Sequence, residues 1–379
     1  MIDQIIEFIR DTYKTNDFIP LHAPVFSGNE LQYVSKTIKS TFVSSVGHYV
    51  ENFERELETY TGSKKVVATV NGTAALHTAL YLAGVRPRDL VITQALTFVA
   101  TCNVLHHLGA RPLFIDVSKV SLGLSPQAVD EYLEEEGVID NSGECYHKKT
   151  GQKIKAVVPM HTFGHPVELD ELVAVCEKWN LILVEDSAES LGSFYKKRHT
   201  GTYGAYGALS FNGNKVITTG GGGAILCPSD DAGFRAKHIT TTAKIAHPYE
   251  YDHDEAGFNY RMPNLNAALG CAQMENLSKF VSKKRNLASK YKEYFNKTLL
   301  EFVEEPNYAE SNYWLNAVIC PDADIRNQIL EKTNANGVMT RPVWKLMNRL
   351  PMYDGDLRGD LVNSEWLQDR LLNLPSSPV

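Results

Sequence analysis

The sequence predicts an α/β protein: a mostly parallel sheet with helices on both faces, followed by a smaller α+β domain. Three observations carry this. Short apolar, β-branched segments alternate with amphipathic helical segments as far as Cys227. Segments such as Ile154–Met160 are apolar almost without interruption, as parallel strands buried on both faces are. Beyond Gly223 the alternation gives way to a polar, His- and acid-rich loop and then a long helical stretch. At 379 residues the chain exceeds what one simple core usually organises. The domains expected are a helical extension at 1–20, a large α/β domain at 21–259 and a smaller α+β domain at 260–379.

Residues 3–13 read as a short helix. Ser27-Gly-Asn-Glu30 has the spacing of a capping box, opening a helix to about Ser40. Val50–Tyr60 is helical and ends at Gly62. Lys65–Val70 is a strand running into Asn71-Gly72-Thr73 and a small-residue helix, Ala74–Ala83, closed by Gly84. Strands follow at Leu90–Thr93, Pro112–Asp116, Ile154–Met160, Leu181–Val184, Tyr206–Phe211 and Ala224–Cys227. Helices are expected at Phe98–His107, Pro126–Glu135, Glu168–Trp179 and Asp230–Thr240. Asn141–Gln152 reads as a polar insertion. One long helix is expected from Asn264 to about Thr298. Then come a strand at Trp314–Cys320, a helix at Ile325–Asn334, a strand at Val338–Arg341, and a helical tail from Glu365 with a Pro-Ser-Ser-Pro end.

Composition excludes several classes. Charged residues make up 22% and the net charge is −7, which gives no electrostatic reason to expect nucleic-acid binding. No apolar run is long enough to span a bilayer, and the acid-containing N-terminus does not read as a signal peptide. The six cysteines are scattered without a C-x-x-C pair, which points to a reducing compartment, here the cytoplasm, and away from a zinc site. His247 and His253 with Asp252 and Asp254 lack helical metal-ligand spacing and read as a solvated loop, so no metal is expected.

In an open α/β sheet, ligands bind at the carboxyl ends of the strands. Asn71–Thr73 and Glu185-Asp186 fall at such ends. The first is a Gly turn into a helix N-terminus, which suits a phosphate; the plain alternative is a helix cap. Lys215 follows the Tyr206–Phe211 strand and precedes Thr218-Thr-Gly-Gly-Gly-Gly223. A lysine, a phosphate cradle, a strand-end acid and an aromatic plate are the parts pyridoxal phosphate needs. The amine binds the aldehyde, a carboxylate keeps the ring nitrogen protonated, and the ring lies on an apolar face. Lys215, Thr73 with Ser210, Asp186 and Phe98 supply them. Read singly, Phe98 is a core residue and Asp186 a turn acid.

Five motifs in this order resemble the DegT/DnrJ family of sugar aminotransferases, a fold-type-I pyridoxal phosphate group. They are Asn71-Gly-Thr-Ala-Ala-Leu76, Thr97-Phe-Val-Ala-Thr101, Val184-Glu-Asp-Ser-Ala188, Ser210-Phe-x-x-x-Lys215 and Gly257-Phe-Asn-Tyr-Arg261. The resemblance is strongest to members that aminate C4 of a UDP-linked 4-keto-6-deoxy sugar, of the bacillosamine or legionaminic type. It implies that Lys215 is the Schiff-base lysine and moves the proton, with Asp186 on the ring nitrogen and Phe98 on the ring. It implies that Gly72, Thr73, Ala74 and Ser210 hold the phosphate, with Asn259 supplied by the second subunit of a homodimer. The implied substrates are an amino-acid donor, L-glutamate, and a nucleotide sugar, with Arg261 and His161 as substrate contacts. His161 reads equally well as a satisfied core histidine. One position departs from the family. Where Gln or His often follows the Asp by three residues, this chain has Glu189, whose charge would repel a phenolate oxygen unless protonated or turned away. Lys215 argues against the dehydratases of this fold, which carry histidine there. No G-x-G-x-x-G or P-loop spacing supports a dinucleotide or nucleotide triphosphate site. A non-catalytic binding module of the same fold remains the alternative.

Overall fold

The computed structural model describes residues 1–379. Seven strands form the central sheet: β1 (Lys65–Thr69), β2 (Leu90–Gln94), β3 (Arg111–Ile115), β4 (Ile154–Val158), β5 (Ile182–Asp186), β6 (Tyr206–Ser210) and β7 (Gly223–Cys227). Their order across the sheet is β1-β7-β6-β5-β4-β2-β3. The run from β3 to β6 is parallel throughout. Strand β7 is antiparallel to both its neighbours, β6 and β1. The reversal has a local cause. Residues 211–222 contain no helix to carry a crossover, so the chain turns straight back beside the strand it has just left.

Alternate residues of the strands face opposite layers. Val67, Val91, Ala156, Val184, Ala208 and Ile225 pack under α4 (Gly72–Leu82), α5 (Val99–His107) and α8 (Asp230–Thr240). Ile92, Leu113, Val157 and Leu183 pack under α6 (Pro126–Glu136) and α7 (Leu169–Lys178). Helices α2 (Glu30–Ser40) and α3 (His48–Thr61) precede the sheet, with Phe53 and Leu57 of α3 against Val66 and Ala68. Between α6 and β4, the expected polar insertion contains a hairpin, Gly137–Ile139 with Cys145–His147.

The second sheet is wholly antiparallel: β8 (Glu301–Phe302), β9 (Asn316–Ile319), β10 (Arg341–Pro342) and β11 (Leu371–Leu374), in the order β8-β9-β11-β10. Helices α11 (Ala323–Ala335) and α12 (Val362–Arg370) belong with it. Helix α1 (Ile2–Tyr13) joins the same core, with Ile5, Ile6 and Ile9 clustered with Tyr291, Phe295, Leu372 and Leu374. No helix is long and apolar enough to cross a membrane.

Three local expectations are corrected. Ser27 does not cap α2; the helix starts at Glu30, whose Oε2 accepts the Gly28 N–H at 2.8 Å while Gln273 donates to its Oε1 at 2.7 Å. The long helix is two, α9 (Asn264–Met274) and α10 (Leu277–Phe295). Its halves serve different cores. The small residues of α9 lie against α3, where a Cβ on Gly270 would meet Phe53 at 2.7 Å, whereas Leu287, Tyr291 and Phe295 of α10 pack with the small sheet. At the break, the Glu275 carboxylate accepts from Asn29 Nδ2 and Tyr33 OH. The tail is not helical to its end: after α12 it becomes β11, an interior strand of the small sheet.

Candidate active site

The carboxyl ends of β1, β4, β5 and β6 open into a cavity of about 530 Å³. The wall on the central-sheet side carries Gly72, Thr73, Phe98, Asp186, Glu189, Ser210 and Lys215; the strands of the second sheet and their flanks contribute Trp314, Arg341 and Trp344. Residues scattered over the sequence therefore meet in one cleft.

The anion end is the start of α4. Asn71 leaves β1 extended (φ −165°, ψ 170°), and its side chain accepts the Ala74 N–H at 2.7 Å. Ala74 was expected among the phosphate donors, but its N–H is already satisfied by this cap. The Gly72 and Thr73 N–H groups have no intrahelical acceptor and remain available, with the positive end of the helix behind them. The cradle is tight: a Cβ on Gly72 would stand 2.7 Å from Ser210 Cβ.

Asp186 ends β5, 5% exposed. Its Oδ2 accepts from Thr101 Oγ1 at 2.8 Å and its Oδ1 from the Ala188 N–H at 3.2 Å. Thr101 Oγ1 is in turn 2.9 Å from Thr97 Oγ1. Burial pushes the Asp186 carboxyl up, and these neutral donors only partly offset it. A buried carboxylate facing a cavity without an ion-pair partner fits a ligand that brings a positive charge, as a protonated pyridine does.

Lys215 follows β6, its side chain 14% exposed. Nζ lies 3.6 Å from Glu189 Oε1 and 3.9 Å from the centre of the Trp314 ring. Burial pushes its ammonium below the usual range, opposed by Glu189 and Asp186. Glu189 is 3% exposed and takes the Phe163 N–H on Oε2 at 2.9 Å. Burial raises its carboxyl to about 7 against the pull of Lys215. Burial thus weighs against the charged form that would repel a phenolate oxygen. Phe98 stands at the N-cap of α5, half exposed, with its ring edge-on to Trp344 at 6.3 Å.

His161 is not in the cleft. It is wholly buried, its Nε2 3.1 Å from Glu185 Oε2 and its Nδ1 accepting the Val167 N–H at 3.3 Å. Both ring nitrogens are used by the protein, so the core-histidine reading holds and the substrate-contact reading is withdrawn. Asn259 and Arg261 do not line the cavity of their own chain. Both are exposed, joined by an Arg261 Nε–Asn259 Oδ1 bond of 3.1 Å, on a segment whose Tyr260 carbonyl accepts the Val70 N–H.

Sequence reasoning missed Trp314, Trp344 and Arg341. Trp314 Nε1 donates to the Asn214 carbonyl at 2.6 Å, from 100 residues downstream. No local pattern marks such a contact; it exists only because the small sheet closes over the loop after β6.

The fold matches solved aminotransferases. TlmJ from Streptoalloteichus hindustanus matches with a TM-score of 0.84 at 26% identity, covering 94% of this chain and 93% of its own. Helicobacter pylori PseC, an aminotransferase involved in the biosynthesis of pseudoaminic acid, matches with a TM-score of 0.85 at 22% identity, over 95% and 94%. The PseC likeness speaks for the fold alone. The fold, the cleft and the relatives define the class: a pyridoxal-phosphate-dependent sugar aminotransferase. A relative named GDP-perosamine synthase, from Escherichia coli O157:H7, is 32% identical over 361 residues, covering 95% of this chain and 94% of its own. One of the same name from Vibrio cholerae is 32% identical over 366 residues, again 95% and 94%. Residues 25–379 match the DegT/DnrJ/EryC1/StrS aminotransferase family, and the chain belongs to it.

Proposed function

We propose that the chain moves the amino group of an amino acid, L-glutamate, to the C4 keto group of a nucleotide-linked 4-keto-6-deoxy sugar. The observation that carries this is the cleft itself: Lys215, Asp186 and the Gly72–Thr73/Ser210 cradle share one cavity. The names of the GDP-perosamine synthases support a nucleotide-linked amino sugar as product. The sequence motifs favour a UDP-N-acetyl sugar and those names a GDP sugar, so the nucleotide is one arm of the test.

When bound, pyridoxal phosphate supplies the electron sink that stabilises a carbanion next to the transferred nitrogen. The remaining work falls to the protein. Gly72 and Thr73 N–H groups and the Thr73 and Ser210 hydroxyls hold the phosphate at the α4 N-terminus. Asp186, fixed by Thr101 and Ala188, holds a positive charge at the ring nitrogen. Lys215 Nζ would anchor the cofactor, and as a free amine it would take up and deliver the proton. Phe98 covers one face of the ring.

The active form is a homodimer in the cytoplasm, with Asn259 and Arg261 reaching the phosphate and substrate of the opposite subunit. Their exposure beside the end of β1, outside their own cleft, supports this. The testing experiment incubates the protein with glutamate and a panel of UDP-, GDP- and dTDP-4-keto sugars, read by mass spectrometry. Amination of one sugar, abolished by Lys215→Ala, is expected. No amination of any 4-keto sugar by cofactor-loaded protein would refute the proposal.

A further inference from the structure

Glu189 puts a carboxyl group into the cleft beside Lys215, and the structure shows how that group is held. Oε2 is tied to the Phe163 N–H at 2.9 Å. That donor is fixed in turn. Phe163 is left-handed (φ 57°), and the Gly164 carbonyl after it accepts from Ser193 Oγ at 2.7 Å and Ser311 Oγ at 2.9 Å. Oε1 is left facing Lys215 Nζ at 3.6 Å, while the Trp314 ring covers Nζ at 3.9 Å. Two other titratable groups face this pair. Asp186 has both oxygens bonded to Thr101 and Ala188. His22, on the segment beside Leu21, is kept uncharged by burial with Lys284 and Lys215 nearby. Glu189 is the carboxyl group within ion-pair distance of the lysine amine.

We propose that Glu189 is the proton acceptor and donor for Lys215. The ammonium proton passes from Nζ to Oε1. The N–H bond breaks with its electron pair left on nitrogen, an O–H bond forms on the carboxylate, and the proton returns by the same path. An ammonium–carboxylate pair and an amine–carboxylic acid pair hold the same number of protons. Burial disfavours both charges of the first, so the neutral pair gains inside the cleft. Burial also brings the acid up and the lysine down toward each other. The 3.6 Å separation is already ion-pair contact in the cleft without a ligand, about 0.4 Å beyond the outer hydrogen-bond distance. Glutamine at this position could hold neither the charge nor the proton.

The signature is a coupled titration. A lysine sharing one proton with an acid keeps a constant unprotonated fraction between two macroscopic steps, whereas a lone lysine gains its reactivity in one. Trace acylation of the cofactor-free protein with acetic anhydride, read at Lys215 by peptide mass spectrometry against exposed Lys279, reports this without turnover. The inference assumes that Lys215 is the anchoring lysine, but this readout does not depend on the sugar or the donor. Two rises separated by a plateau are expected for the wild type. Glu189→Gln should lose the first rise; Glu189→Asp and Asp186→Asn should keep both. A single rise in the wild type, which needs no variant to fold, would overturn the proposal. So would two rises in Glu189→Gln, or loss of the first in Asp186→Asn.

Discussion

Replacing Gly72 by alanine tests the cradle more sharply than removing any charged group. The added Cβ would stand 2.7 Å from Ser210 Cβ, 3.0 Å from Ser210 Oγ and 3.3 Å from the Leu209 carbonyl oxygen. Carbon atoms pack at about 3.5–4.0 Å, so the start of α4 and the end of β6 must part by roughly 1 Å. Overpacking of this kind costs about 1–3 kcal/mol. Alanine's better helix propensity returns up to about 1 kcal/mol to folding, so the fold should survive. The displaced groups are those proposed to hold the phosphate, and the loss should appear as about 5- to 150-fold weaker cofactor binding. Titrating pyridoxal phosphate into cofactor-free protein and following its visible absorbance measures this. Gly213, in the loop before Lys215, is the control, since a Cβ there meets nothing within 4 Å. Wild-type affinity in a folded Gly72→Ala protein, or an equal loss in Gly213→Ala, would refute the reasoning.

Other outcomes follow from the same geometry. Asp186→Asn should retain cofactor yet slow proton removal by about two to four orders of magnitude, seen in single-turnover kinetics; an unchanged rate would remove Asp186 from the ring nitrogen. Glu185 is wholly buried and accepts from the N–H groups of Gly201, Tyr203 and Gly204 as well as facing His161. Burial pushes its carboxyl up, but His161 and the Gly204 and Gly201 N–H groups outweigh that and hold it below the usual 4.5. Its stabilisation is therefore complete above that pH and lost as pH falls through the folded value. Glu185→Gln should cost about 3–5 kcal/mol in denaturant unfolding at neutral pH, the gap to wild type narrowing in acid; a constant gap would contradict the assignment. Mixed Lys215→Ala and Asn259→Ala dimers, each variant inactive alone, should regain activity through one intact site. None after confirmed subunit exchange would exclude a shared site at Asn259.

Most elements of the large domain were legible because their signals are local. Gly62 after α3 sits where a left-handed turn belongs, and the structure uses it so, at φ 73°. The motif residues Gly72, Thr73, Phe98, Asp186, Glu189, Ser210 and Lys215 also converge as the strand-end argument requires. What stayed hidden depends on partners distant in sequence. Ser27 has cap spacing, but Glu30 is taken by Gly28 and Gln273. Residues 264–274 are uncharged and rich in small side chains and 277–295 are rich in lysine, but no local signal says which core each half meets. Leu371–Leu374 is four residues long, too short to show a period, and becomes a strand because β9 and β10 flank it. His161 lies beside a strand end like the site residues, and only its tie to Glu185 reveals that it faces inward.

The indole of Trp314 under the Lys215 amine makes the cleft optically self-reporting. The chain has four tryptophans, and two of them, Trp314 and Trp344, line the cavity. A chromophore absorbing near the indole emission band and seated between them will drain their excited states by resonance transfer, leaving Trp179 and Trp366 as the more distant emitters. Ultraviolet-excited emission thus follows occupancy of the cleft without a dye.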